Sequence, residues 1–379
     1  MFSHHGFRRV ALLVVAASAL AAHIAHAELP VIRPQQRLPM PPQNAPRPTP
    51  AGTFGEFALS DGQIIVVTVG QGPAVYTYVK DSTGRWVYDS AVVAPGNAVM
   101  SIGGALRGNV LALQGFDNDT FTSVVFVFVR SGGQWTHTQT LPGTGSVSRA
   151  RRLALGPNYL AIGEIDANDF AGVIHIYNEV ATGQYAFETD LSVTGSGQGF
   201  LLGYHVVADG STLLAAAPGG ATVAAFERSG GVWAENGLLT PDAFMFAWFF
   251  AMSGNRAFLA PASNPQQFVQ RDGTWLKRGL LNHPTDPQRH LMNPVALDGR
   301  RLIAGEEGSE DALLFELRDG NWTATAVLRN ANDQSCPRIV DSGVITLVGR
   351  LALAACTFVP TPDHEFDGRV LVYELPPLE

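Results

Sequence analysis

Six times along this chain an apolar run ends in a polar, glycine-bearing turn and then an aromatic residue. The copies read VYTYVKDSTGRW, VFVFVRSGGQW, IHIYNEVATGQY, VAAFERSGGVW, FVQRDGTW and LFELRDGNW, and they close on Trp86, Trp135, Tyr185, Trp233, Trp275 and Trp322. Successive closing aromatics are 49, 50, 48, 42 and 47 residues apart. A steady period of this size means one supersecondary unit stacked many times. Within each unit an apolar strand meets a tight turn, a second strand, a variable and often acidic loop, a third strand, the glycine turn, and a fourth strand opened by the aromatic. Unit one spells this out as FGEFALS, the turn Asp61-Gly62, QIIVVTVG, AVYTYVK and WVYDSAVV. Strand-rich runs bounded by Gly, Asn and Asp read as antiparallel hairpins, and no window after the first 27 residues shows a helical apolar stripe.

Four short strands per period of about 45 residues is the pattern of a propeller blade. The expected fold class is therefore all-β, a seven-bladed β-propeller with unit starts near Phe54, Val99, Leu153, Leu202, Phe246, Leu291 and Ile339. The seventh unit has no aromatic strand, because VLVYEL (Val370 to Leu375) runs into the C-terminus. A ring needs that strand from elsewhere, since an open sheet edge leaves backbone groups unpaired. Val31 to Pro39 (VIRPQQRLP) is the candidate, although Pro34 cannot donate to a ladder and suits only an outer edge.

The domain plan is a targeting segment at 1–27, a Pro-rich leader at 28–53, part of which is the candidate closing strand, and the propeller at 54–379. Arg8 and Arg9, the apolar run Val10 to Ala22 and the small-x-small triplet Ala25-His26-Ala27 have the form of a signal peptide cleaved after Ala27, and the run is short for a bilayer span. The expected location is periplasmic or secreted, with no membrane insertion of the mature chain. The formal charge of -8, with 15% charged residues, argues against nucleic acid, which requires basic stripes. Cys336 and Cys356 form an even pair in an exported chain and suggest a disulfide stapling the last unit; two buried free thiols are the alternative, because their spacing is not symmetric about the turn at Gly349-Arg350.

Phe54-Gly55 with the ALSDG turn, AAAPGG at 215–220 and FERSGGVW at 226–233 make the units resemble FG-GAP repeats, the blades of the integrin alpha-chain propeller and of many bacterial exported proteins. The resemblance covers about residues 54–375; its Phe-Gly pair survives only in the first unit. It implies adhesion, scaffold or ligand-binding roles, and in some blades a calcium loop of alternating acidic residues. The corresponding loops here are Asp117-Asn118-Asp119, Glu164-Asp166-Asn168-Asp169, Glu306-Glu307-Glu310-Asp311 and Asp363-Glu365-Asp367. None carries the family's full acidic line, and each also reads as a solvated turn. Calcium is thus left open and no other cofactor is expected.

Histidines 137, 175, 205, 283, 290 and 364 are scattered over different units with no HxH, HExxH or paired-Cys spacing, so zinc has no support. His175 and His205 fall in strands and read as packed; His283 and His290 fall in a polar loop and read as exposed. No triad or GxSxG is present. The run AFMFAWFFAM (243–252) reads as an innermost strand, with an aromatic ligand platform as the alternative. The resulting expectation is a non-catalytic binding or scaffold module for a protein or cell-surface glycan partner. The alternatives are a carbohydrate-binding propeller, favoured if exposed aromatics recur at equivalent positions between blades, and a hydrolase or lyase with a channel-centred site, favoured if several polar or titratable groups converge there with perturbed pKa values.

Overall fold

Alternating apolar strands with a turn every few residues have one low-energy outcome, an antiparallel meander, and the computed structural model contains seven of them. The structure describes residues 29–46, 54–70, 72–142, 153–242, 249–260, 264–307, 309, 311–330, 345–356 and 368–378. Two short strands, β1 (Val31–Ile32) and β2 (Gln36–Arg37), lie in the leader. Blade one is β3 (Phe54–Ser60), β4 (Ile64–Val69), β5 (Ala74–Lys80) and β6 (Trp86–Val93); blade two is β7 (Ala98–Arg107), β8 (Val110–Asp117), β9 (Thr122–Ser131) and β10 (Gln134–Pro142). Blade three is β11 (Leu153–Leu155), β12 (Tyr159–Glu164), β13 (Val173–Ala181) and β14 (Gln184–Leu191); blade four is β15 (Val206–Asp209), β16 (Thr212–Ala217), β17 (Thr222–Ser229) and β18 (Val232–Leu239). Blade five is β19 (Phe250–Ser253), β20 (Arg256–Leu259), β21 (Gln266–Arg271) and β22 (Thr274–Leu280); blade six is β23 (Leu291–Asp298), β24 (Arg301–Glu306), β25 (Ala312–Arg318) and β26 (Asn321–Leu328). Blade seven is β27 (Ile345–Val348), β28 (Leu351–Cys356) and β29 (Arg369–Glu374).

Each first strand touches the first strand of the next blade, in the cycle β3, β7, β11, β15, β19, β23, β27 and back to β3. The first strands therefore line the channel and the ring is closed. The meander also fixes two faces. Hairpin turns between first and second strands lie on the lower face. Second-to-third loops and blade-to-blade connections lie on the upper face.

The core is divided among the seams. The largest buried clusters each join two neighbouring blades, including one that joins blade seven to blade one through Phe54, Tyr78, Leu353 and Val370. The closing aromatics all stand at the start of a fourth strand and wedge against the preceding blade. Trp233 meets Tyr159 edge-on at 4.9 Å, and Trp322 meets Phe258 at 5.3 Å. The planar indole supplies a large apolar area with an edge-to-face preference, which suits a wedge between two pleated faces. In the run at 243–252, residues 243–248 lie outside the described residues, while Phe250 and Met252 are buried between blades four and five.

Closure uses the leader in two steps. β1 runs parallel to β26 of blade six, and β2 pairs antiparallel with β29, so β2 fills the fourth position of blade seven. One segment serves two blades because Pro34 lies between the strands and interrupts the ladder. Gln36 behaves as a fourth-strand residue should: its side-chain amide accepts from Trp86 N–H at 2.9 Å and donates to Trp86 C=O at 2.5 Å. Gln139 of β10 grips the closing aromatic of the next blade in the same way, accepting from Tyr185 N–H at 2.7 Å and donating to its C=O at 2.8 Å. Leu38 is 2% exposed within the blade seven–one cluster, and Tyr78 donates its hydroxyl to the carbonyl of Pro39 at 2.8 Å.

Burial pushes the phenols of Tyr78, Tyr159, Tyr185 and Tyr373 well above the usual tyrosine range. A raised folded-state value favours the protonated fold. The stabilisation is complete below the unfolded value of about 10 and is lost as pH rises beyond it, at up to about 1.4 kcal/mol per pH unit for each phenol. Melting temperature measured against pH should therefore fall steeply above about pH 10. Tyr78→Phe should flatten that fall, and equal slopes in the two proteins would remove Tyr78 from the account.

Cys356 ends β28 with 3% exposure; Cys336 lies outside the described residues. Peptide mapping without reductant should recover Cys336 linked to Cys356, and two alkylatable thiols would dismiss the staple.

Candidate functional site: the channel mouth at blade six

The upper end of an innermost strand is where a blade meets the channel, and at blade six that end is polar. β23 opens at Leu291, preceded by Arg289 and His290 in the connection from blade five. Its antiparallel partner β24 ends at Glu306, which is in register with Leu291, and the N–H of Glu307 donates to the carbonyl of His290 at 2.9 Å. These pairings bring residues 283–290 against the end of β24.

Glu306 is 6% exposed, and a buried carboxylate must be compensated. Its Oε1 accepts from Arg289 Nη1 at 2.5 Å and lies 3.1 Å from His283 Nε2. His283 Nδ1 accepts the N–H of Asp286 at 3.0 Å, so the ring proton sits on Nε2, the nitrogen beside Glu306. The hydrogen bond from Arg289 to Glu306, followed by their charge attraction, holds the guanidinium further above its usual value. The Arg289 side chain is 54% exposed and presents a fixed positive charge at the mouth. On the other side, Asn264 Oδ1 accepts the N–H of Leu291 at 2.7 Å and its amide donates to Asn282 Oδ1 at 3.1 Å, pinning the start of β23 to blade five. His290 is half-buried, and its Nδ1, like Asn293 Oδ1, is shielded from solvent without a hydrogen-bond partner among the described residues.

The loop histidines read as exposed are thus placed differently. The His283 side chain is 8% exposed, because the turn at Asp286 folds its own N–H onto the ring. Spacing within a polar loop carries no signal for such a contact. A histidine, an arginine and a glutamate within one repeat were the available clue.

A second cluster stands on the upper face of blade three. His175 Nδ1 meets Asp190 Oδ1 and its Nε2 meets Glu164 Oε2, both at 2.7 Å. Both ring nitrogens are occupied, so neither can take a proton from water without breaking a pair. Blades four and five lie between this cluster and blade six, so the two cannot act on one small substrate. His205 is 4% exposed and packs on Phe250 at 4.6 Å. His137 is exposed with its ring edge-on to Phe126 and Phe128, and His364 lies outside the described residues. Exposed aromatics recur at Phe121 (79%) and Phe170 (53%) on the upper loops of blades two and three. Among the described residues no three His, Cys, Asp or Glu are placed to hold a metal ion. Glu164 and Glu306, from two of the acidic loops, are committed to side-chain partners.

No protein-family model and no curated protein matches the chain. Solved propellers do. A structure from Bacteroides uniformis ATCC 8492, called a "putative 6-phosphogluconolactonase", superposes with a TM-score of 0.52 at 14% identity over 72% of this chain and 84% of that one. A protein of the same description from Bacteroides fragilis NCTC 9343 gives 0.50 at 16% identity over 72% and 86%. A prolyl endopeptidase structure gives 0.53 at 13% identity over 94% of this chain and 51% of that chain. At such identities the likeness establishes the seven-bladed propeller. The expectation of a non-catalytic binding or scaffold module is corrected on this finding: two of these like-shaped structures carry the description "putative 6-phosphogluconolactonase", which sides with the hydrolase alternative.

Proposed function

We propose that this protein is a hydrolase of small lactones, with its reaction centre at the channel mouth of blade six. The observation that carries the reading is His290, a half-buried imidazole immediately before the innermost strand β23, next to an exposed guanidinium locked by a buried carboxylate. Opening a cyclic ester needs a base for water and a positive group for the charge that develops on the carbonyl oxygen. His290 takes the proton as water oxygen bonds to the carbonyl carbon. Arg289 stabilises the oxyanion. The carbonyl then re-forms, the ring C–O bond breaks with its electron pair going to the ring oxygen, and His290 returns the proton there. The product is a hydroxy acid and the base is restored. Glu306 and His283 are positioning residues that keep Arg289 at the mouth.

Names carried by like-shaped propellers support the substrate class. The reading includes an exported location, for which residues 1–27 supply the pattern, and an FG-GAP-type repeat, for which Phe54-Gly55 and FERSGGVW are the support. The test is acid release from glucono-δ-lactone and a panel of aliphatic lactones, against spontaneous hydrolysis at neutral pH. Catalysed release supports the proposal, and a background rate on every lactone ends it.

A further inference from the structure

We infer that a cleft at the closing seam, on the lower face, binds a small organic anion bearing carboxylate or phosphate groups. The cleft has a volume of about 390 Å³, at the small end of the range for ligand sites. Three separate parts of the chain wall it: Gln36 of the leader strand, Lys80, Arg85 and Trp86 of blade one, and Arg350 and Val372 of blade seven.

Its charge is unlike the rest of the molecule. The whole chain has a formal charge of -8 and only two lysines, Lys80 and Lys277. Lys80 and two arginines meet in this cleft against a single lining carboxylate, Glu374. The Lys80 ammonium lies 5.2 Å from the centre of the Trp86 ring and, among the described residues, has no carboxylate partner. The Arg85 guanidinium likewise has no hydrogen-bond or ion-pair partner among them. Asp81 is nearby, but its Oδ1 already accepts the Thr83 hydroxyl at 2.7 Å and the N–H groups of Thr83 and Arg85. Arg350 donates Nε to the Leu375 carbonyl at 2.7 Å and is ion-paired through Nη2 with Glu374 at 3.4 Å, the one carboxylate in the lining, so Lys80 and Arg85 are the cations left for a ligand.

Other seams show what neutral clefts of this fold look like. Between blades two and three, Arg107 faces a cleft that also holds Glu179, and its guanidinium is used on the Gly156 carbonyl at 2.5 Å. Between blades six and seven, Arg318 is paired with Glu316 at 2.9 Å. Only at the closing seam, among these three, do a lysine and an arginine stand without acceptors beside an aromatic face. A guanidinium fork and an ammonium are matched by carboxylate or phosphate oxygens, and Trp86, Leu351 and Val372 supply a short apolar floor.

A ligand here touches both sides of the seam that closes the ring. Binding to the folded state alone raises stability by mass action, so the ring should melt later when the anion is present. The test uses the full chain at constant ionic strength, with chloride as the reference and inorganic phosphate or citrate as the probe. The expected result is a saturable rise in melting temperature with phosphate, citrate or both, and which anion acts identifies the preferred group. Lys80→Gln with Arg85→Gln should abolish the rise. Lys277→Gln, on blade five and paired with Asp242, should keep it. If the double variant does not fold, Arg85→Gln alone, an exposed change, should reduce the rise at least tenfold in apparent affinity. No rise beyond chloride, or an equal rise in the Arg85 variant, overturns the site. Lactone hydrolysis is read separately and does not enter this result.

Discussion

A chain beginning at residue 43 is expected to melt at least about 10 °C below one beginning at residue 28 and to associate in a concentration-dependent way. Removing residues 28–42 deletes both leader strands and so strips β29 of its outer partner. It also removes the buried Leu38 side chain and the acceptor that Tyr78 uses at Pro39. Truncating a buried leucine alone costs about 2–5 kcal/mol, and each lost hydrogen bond about 1 kcal/mol. An unpaired strand edge adds a template for pairing with another copy. Calorimetry and size-exclusion chromatography read the two consequences separately. Leu38→Ala should reproduce part of the destabilisation without the association. An unchanged transition in the truncated chain would make the leader a mere tether.

The second large effect concerns the reaction. His290→Ala should lower kcat/KM for lactone hydrolysis by about a hundredfold or more, the range supplied by a general base. Arg289→Ala should cost about a hundredfold, chiefly in kcat, because the oxyanion forms only in the transition state. Glu306→Gln keeps shape and removes the charge that locks Arg289, so it should lower kcat and be less damaging than loss of the guanidinium itself. His175→Gln, in the blade-three cluster, should leave kcat/KM within about twofold, since its ring nitrogens are both occupied by carboxylates. A full-rate His290→Ala enzyme would remove the base, and a His175 variant with lost activity would move the centre to blade three.

Particular residues show how much was legible beforehand. The closing aromatics could be read because each repeats the same job, a wedge against the preceding blade, and selection for one job at a fixed period leaves a period. The seam pairing of the leader was partly legible, as Val31 to Pro39 has strand character, but its division between β1 and β2 follows from Pro34 and from which blade edges lie within reach. The channel-mouth cluster left no period. His283 and Arg289 lie in the connection between blades five and six and Glu306 ends β24, and the other repeats carry no matching set.

The sequence by itself determined the unit, its antiparallel order and the approximate number of copies. Those depend on pairing between residues a few positions apart, where alternation and turn chemistry act directly. Only the tertiary structure decided which singular residues meet. Arg289 and Glu306 are 17 positions apart, and Gln35 and Glu374, hydrogen-bonded at the closing seam, are 339 apart. Contacts at those separations are set by how blades stack into a ring. A closed ring places its two ends side by side whatever their distance along the chain.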